Sequence, residues 1–324
     1  MRSRRHMAAL AAVILLVALV ALPFVAEKFT VQFATRMLIM AIFAMSLNLL
    51  VGQAGLVSLG HAAWFGIAGY ILALFSPHYQ AASLWLSLPL AMLAAGALAL
   101  VIGALVLRTG GVYFIMATLA FAQMLYFLLH DTAIAGGSDG MYIYVRPVGE
   151  LFGWQPFDLE KFGDFYFVVL ALFVVVFAFI GVLRASLFGR VLSGIRINEP
   201  RMRSLGFATF RYKLVCFVIA AMLAGLAGYL AAAQYGVVNP DMLGWHLSGT
   251  VLMMVILGGR GTLAGPVLGA AVLLLLELGL QSLPDAGGLH LAKHWQLPLG
   301  LVIVLVALYL PNGLSRMLQR SSVE

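Results

Sequence analysis

The sequence predicts an all-α, polytopic membrane protein of about ten transmembrane helices, some short or broken, with both termini in the cytoplasm. Three observations point there. The 324 residues are 63% apolar and only 10% charged, with a mean hydropathy of +1.05, whereas soluble domains carry charged residues at about 25%. Apolar runs near the ~20 residues that a bilayer-crossing helix needs recur from one end of the chain to the other. Finally, Lys and Arg cluster on alternate sides of those runs, as they do when positive loops stay inside. In such a chain the net charge of +7 belongs to cytoplasmic loops and gives no reason to expect nucleic acid. The single cysteine, Cys216, excludes an internal disulfide and any Cys-based metal spacing.

Residues 1–26 open on Met-Arg-Ser-Arg-Arg and continue into an apolar run. This reads either as a first spanning helix or as a signal segment; the length of the run favours a retained helix. Further apolar spans cover about 33–51, 57–75, 84–107, 112–129, 165–183, 212–233, 244–257, 263–283 and 297–310. The whole chain, 1–324, therefore reads as one transmembrane domain. With the N-terminus inside and sides alternating, the cytoplasm receives Arg2, Arg4, Arg5, Arg108, Arg260, Arg316, Arg320 and every basic residue of 184–213. Lys28, Arg36, Arg146, Lys161 and Lys293 fall outside or near the outer edge, together with most of the acids. Residues 131–164 are rich in Gly, Pro, aromatic and acidic residues and read as an external loop or small cap. The basic tail after Pro311 reads as a solvated end.

Two apolar segments are interrupted by glycine and polar residues: Asn48 to Gly69, and Gly258 to Gly269. Non-helical backbone survives at membrane depth only where protein or a water-filled path surrounds it, and Gly-interrupted spans in a transporter point to its pathway. Close helix packing is the competing explanation for the glycines. The polar side chains Asn48, Gln53, Ser58 and His61 make the first segment the pathway candidate. Glu277, His61 and, near an outer edge, Arg36 are the ionisable residues within spans. Each has an ordinary structural explanation as well, and two isolated groups do not form a proton relay.

Energy for active transport has no source in this chain. Gly55-Leu-Val-Ser-Leu-Gly60-His61 has the glycine spacing of a phosphate loop but His where Lys is needed. There is no zinc-protease motif and no convergent acid–base set, so no catalytic or metal-ligating residue is assigned and the chain is not read as an enzyme.

Residues 184–213 are the one charge-dense island, with Arg184, Arg190, Arg196, Arg201, Arg203, Arg211 and Lys213 opposed only by Glu199. Gly189 to Ile197 suits a short helix. Asn198 is an N-cap, with Glu199 and Pro200 in the first turn of a second helix that Gly206 stops. Ile195, Met202 and Leu205 supply apolar contacts at helical spacing. Charge alone would only hold this loop in the cytoplasm; the paired caps make it a structured docking element.

The run Gly189-Arg-Val-Leu-Ser-Gly-Ile-Arg-Ile-Asn-Glu-Pro-Arg-Met-Arg-Ser-Leu-Gly-Phe, followed by Arg211-Tyr-Lys-Leu and Leu223-Ala-Gly-Leu-Ala-Gly, closely resembles the cytoplasmic coupling loop of ABC-importer permeases for branched-chain amino acids, LivM type. The block from Leu47 through Ser58-Leu-Gly-His-Ala-Ala-Trp-Phe-Gly, Gly136-Gly-Ser-Asp-Gly, and Gly258-Gly-Arg-Gly-Thr-Leu-Ala-Gly-Pro agree with it. Departures are small: Ile197 where an acid is frequent, Arg260 where the family is often apolar, and Ala135 for Thr. The resemblance implies an importer of Leu, Ile or Val in the bacterial inner membrane. Its parts would be a second, LivH-type permease subunit, two ATP-binding chains that carry ATP and Mg, and a periplasmic binding protein. It also implies that Arg196, Asn198, Glu199, Pro200, Arg201, Leu205 and Gly206 form the ATPase-coupling contact. Urea or short amides are the alternative cargo, and an ion-coupled carrier or channel is the alternative class.

Overall fold

The computed structural model describes residues 2–76, 81–150, 157–282, 295–310 and 313–315. Lys293, Arg316, Arg320, most of the tail after Pro311 and residues 151–156 of the expected external segment lie outside them.

The described residues are mostly helical. In order come α1 (Arg2–Val25), α2 (Lys28–Asn48) running directly into a π-helix (Leu49–Ala54), α3 (Ala62–Phe75), α4 (Leu84–Val106) and α5 (Val112–His130). Then follow α6 (Phe162–Ala185), two short helices α7 (Leu187–Ile197) and α8 (Glu199–Ser204), and the long α9 (Thr209–Tyr235). α10 (Trp245–Gly258), α11 (Gly265–Gln281) and α12 (Gln296–Tyr309) complete the set. Among the described residues, 5 helical segments are long and apolar enough to cross a membrane: Lys28–Ala54, α4, α5, α6 and α9. The shorter apolar helices include α3, α10 and α11.

Burial does not follow hydropathy. Lys28–Ala54, with a mean hydropathy of 1.9, has 94% of its apolar window buried, whereas α6, at 3.0, has 28%. Lipid is as apolar as a Leu side chain, so the greasiest helices gain nothing by leaving it. What draws helices together is close packing of small residues. α9 supplies that surface. It packs on α2, α3 and α4, and a Cβ on Gly228 would lie 1.9 Å from the Phe65 carbonyl oxygen, so α3 and α9 meet backbone to backbone. Tyr229, fully buried, shares a 2.6 Å hydrogen bond with Ser87 of α4.

Span boundaries near 57 shift for a local reason. Helix α3 begins at Ala62 because Ser58–Gly60 is not helical; a Cβ on Gly60 would fall 2.1 Å from the Thr118 carbonyl oxygen of α5. The Ala62 amide at the start of α3 donates to Ser248 Oγ of α10 at 2.8 Å, satisfying one of the orphan donors of a helix start.

At one end of α6 and α9, residues 131–150 build a small cap. Its strand β1 (Met141–Tyr142) pairs antiparallel with β2 (Val237–Val238), just beyond α9. Arg146 pins it, donating to the carbonyls of Ala233 at 3.2 Å and Leu159 at 3.0 Å. α7 and α8 lie at the opposite end of α6 and α9, which places the cap and the charged loop on opposite ends of the bundle.

Candidate functional site

The two glycine-interrupted segments meet. A Cβ on Gly52 would lie 2.8 Å from both the nitrogen and Cα of Gly261, so the π-helix and the loop between α10 and α11 touch through bare backbone. Asn48 bridges them: its Nδ2 donates to the Thr262 carbonyl at 2.9 Å and its Oδ1 accepts the Gly261 amide at 2.9 Å. Gly261 has φ of 80° and Gly259 has φ of 109°, conformations that leave room for no side chain without strain. A π-helix is rare and marks a surplus residue in the helical path. Here it ends at Gly55, which is left-handed at φ of 70° and returns its amide to Leu50.

The charged loop clasps this junction. Arg196 of α7 donates to the Gly52 carbonyl, Arg184 at the end of α6 donates to the Gly261 carbonyl, and Ser193 donates to Gln53 Oε1 at 3.1 Å. An open cleft of about 640 Å³ lies between them, lined by Gln53, Arg184, Ser193, Arg196 and Thr262. Two helix breaks and one charged loop are thus tied together through carbonyls that the breaks leave unpaired.

α7 and α8 form as their residues dictate. Ser186 caps α7, its Oγ accepting from the Gly189 amide at 3.4 Å, and Asn198 caps α8, Oδ1 accepting from the Arg201 amide at 3.0 Å. Gly206, at φ of 87°, ends α8, and the Phe207 amide returns to the Met202 carbonyl at 3.1 Å. The Met202 thioether fills the space over Gly194, packing α8 against α7.

Glu199 is the buckle. It accepts from Lys213 Nζ at 2.9 Å, Arg203 Nη2 at 2.8 Å and Thr209 Oγ1 at 3.0 Å, joining α8 to the start of α9. Burial is the largest influence on its carboxyl and raises its pKa. The hydrogen bonds from Lys213, Arg203 and Thr209, with the charge on Lys213, together outweigh burial and hold the carboxyl below the usual glutamate range. Because the folded-state pKa is depressed, the contact stabilises α8 fully above the unfolded value of about 4.3 and is lost as pH falls through the folded one. Amide exchange in α8 should therefore quicken relative to α9 on acidification from about pH 7 to about pH 3. Glu199→Gln should show quickened α8 exchange already at neutral pH and little further step.

The residues singled out in the sequence separate into distinct places. Asn48 and Gln53 belong to the junction. Ser58 and His61 are fully buried elsewhere: His61 Nε2 is 2.8 Å from Ser46 Oγ and the ring stacks on Phe43, while Ser58 Oγ accepts the Gly60 amide at 3.3 Å. The four do not line one cavity among the described residues. Within the loop, Arg196, Asn198 and Glu199 spend their side chains inside the chain. Leu205 does not make the packing contact its spacing suggests: it is 64% exposed, and Ile197 at 84%, Pro200 and Arg201 are exposed as well. The outward surface of the pair is thus apolar and basic. Sequence reading missed the bracket made by Ser193, Arg184 and Thr262. Its only signal was the occurrence of two Gly-rich breaks, since nothing local says that they touch across more than half the chain.

A family described as branched-chain amino acid transport system / permease component matches residues 29–308. This chain belongs to that family. Its relatives include the high-affinity branched-chain amino acid transport system permease protein LivM of Escherichia coli K12, 35% identical over 93% of this chain and 73% of the relative. The probable LivM of Methanocaldococcus jannaschii is 25% identical over 69% of this chain and 67% of its own length. The E. coli K12 permease protein LivH is 29% identical over 44% of this chain and 43% of its own length. No solved structure matches the chain. The protein is thus a multi-pass permease component of branched-chain amino acid transport and is not itself an enzyme.

Proposed function

We propose that this chain is one of two permease subunits of an ATP-binding-cassette importer in a bacterial inner membrane, passing Leu, Ile or Val from a periplasmic binding protein to the cytoplasm. The second subunit is a LivH-type paralogue, and two separate ATP-binding chains hold ATP and Mg. In this reading the chain spans the membrane about ten times with both termini inside, consistent with the positive charge at the loop end. Residues 184–213 face the cytoplasm and 131–164 the outside.

The observation that carries the coupling role is the clasp between α7 and the junction of the two broken segments. Ile197, Pro200, Arg201 and Leu205 present an apolar, basic knob to an ATP-binding chain, and Gly206 ends the helix that carries it. Asn198 and Glu199 fix the shape of that knob, and Arg196 carries its displacement to Gly52. ATP-driven movement of the partner would then shift α7 as a rigid body and pull at the helix breaks.

The test is to purify the chain with its partner permease, ATP-binding chains and binding protein, reconstitute them, and measure ATPase stimulation against a ligand panel. Leucine, isoleucine or valine should stimulate. Stimulation by urea or a short amide without leucine would overturn the cargo, and leucine uptake without any ATP-binding chain would overturn the class.

A further inference from the structure

A second cavity, of about 330 Å³, lies at the other end of the bundle from the charged loop, walled by α2, α3, α9, α10 and α11. That volume is at the low end of small-molecule sites, which run from about 300 Å³ upward. Its lining has two parts. Ile39, Met40, Phe65 and Met254 make an apolar wall. Arg36, Glu277, Gln234 and Asp241 make a polar rim of both charges.

The rim is incompletely satisfied. Arg36 reaches Glu277 through Nη2 alone, at 3.3 and 3.4 Å, so the pair is long and one-sided rather than a forked bidentate contact. Gln234 has its orientation fixed, because its Nε2 donates to the Gln32 carbonyl at 2.8 Å. That leaves Gln234 Oε1 an acceptor buried from water with no partner among the described residues. An unpaired buried acceptor is rare and calls for an explanation. A donor arriving in the cavity supplies one.

We propose that this cavity is a transient binding site for a zwitterionic α-amino acid with an apolar side chain. Arg36 takes the α-carboxylate, Gln234 Oε1 and Glu277 take the α-ammonium, and the side chain lies against Ile39, Met40 and Phe65. The ligand's two charges insert into the loose Arg36–Glu277 pair, each finding its opposite. Charge separation in the rim selects amino acids over amines and carboxylic acids, and the small apolar wall selects among amino acids. This inference rests on the permease reading above and places a cargo stop at the outer end of the path.

The experiment uses the full importer. Leucine uptake by reconstituted wild type comes first; its absence would fail the permease reading, not this site. Given uptake, binding of labelled leucine is measured on the assembled membrane complex without the binding protein, with isoamylamine and 4-methylpentanoate as competitors that each lack one charge. Wild type should bind leucine, and each analogue should compete about tenfold or more weakly. Arg36→Gln should lower leucine binding about tenfold while leaving isoamylamine unchanged, erasing the discrimination. Thr250→Phe, which fills the cavity without touching its charges, should lower leucine binding and uptake alike. An Arg36→Gln loss equal for leucine and isoamylamine would mean a structural ion pair only and would overturn the site. So would wild-type binding in both variants, or an uptake-competent wild-type complex that binds no leucine. If Arg36→Gln does not assemble, Thr250→Phe decides.

Discussion

Glu199→Lys is expected to reduce uptake to background and abolish ligand-stimulated ATPase activity, while the chain still inserts and assembles. The substitution replaces the acceptor of three hydrogen bonds by an ammonium facing Lys213 and Arg203, whose nitrogens now lie 2.9 and 2.8 Å from the carboxylate. Like charges at that spacing repel, and α8 loses its attachment to α9. A six-residue helix has no stability of its own once its tertiary contacts are gone. Uptake into vesicles, measured alongside the amount of inserted chain, reads the effect. Adding Lys213→Glu restores an opposite pair in reversed order and should recover part of the uptake. If Glu199 instead acts by touching the ATP-binding chain, that second change will recover nothing.

Gly52→Ala should be nearly as damaging for a different reason. The added methyl falls 2.7 Å from Asn48 Oδ1 and 2.8 Å from the backbone of Gly261. Neither neighbour is the free end of a flexible chain, and Asn48 is itself held by two hydrogen bonds. Forcing atoms into such a site costs about 1–3 kcal/mol. The two broken segments must part, and the carbonyl that Arg196 grips moves with them. We expect a lower melting temperature of the solubilised complex and uptake down about tenfold. Gly279→Ala in α11, where an added methyl meets nothing within 4 Å, is the control and should be neutral or slightly stabilising.

The parts of this molecule that announced themselves in the sequence are those governed by local chemistry. Asn198 before Glu199-Pro200 specifies a capped helix start, and Gly206 specifies its stop; both appear where expected. Long apolar runs specify helices, and α4, α5, α6 and α9 follow within a few residues. What was not legible depends on which surfaces meet. The meeting of Gly52 with Gly261, and of Arg36 with Glu277, links residues more than half a chain apart, and no pattern in either stretch names the other. Leu205 shows the limit of periodicity: its spacing suits packing, but it follows the last residue of α8 and is 64% exposed. The identity of the most buried helix was equally hidden, because in a bilayer hydropathy measures welcome by lipid and does not rank helices by burial: Lys28–Ala54, at a mean hydropathy of 1.9, is 94% buried, and α6, at 3.0, is 28% buried. His61 was singled out for its polarity in an apolar run; its Nε2 meets Ser46 and its ring stacks on Phe43, contacts that no local pattern names.

The π turn at Leu49–Ala54 has a mechanical consequence. It holds roughly one residue more than an α-helix would use to cover the same rise. Each residue of α-helix corresponds to about 100° of rotation, so taking up or releasing that spare residue turns one flank against the other like a clutch, without breaking either. Arg196 grips the segment at Gly52, inside the slack and not on the stiff helix beside it. A tug on the charged loop is thus delivered where the helix has play to give.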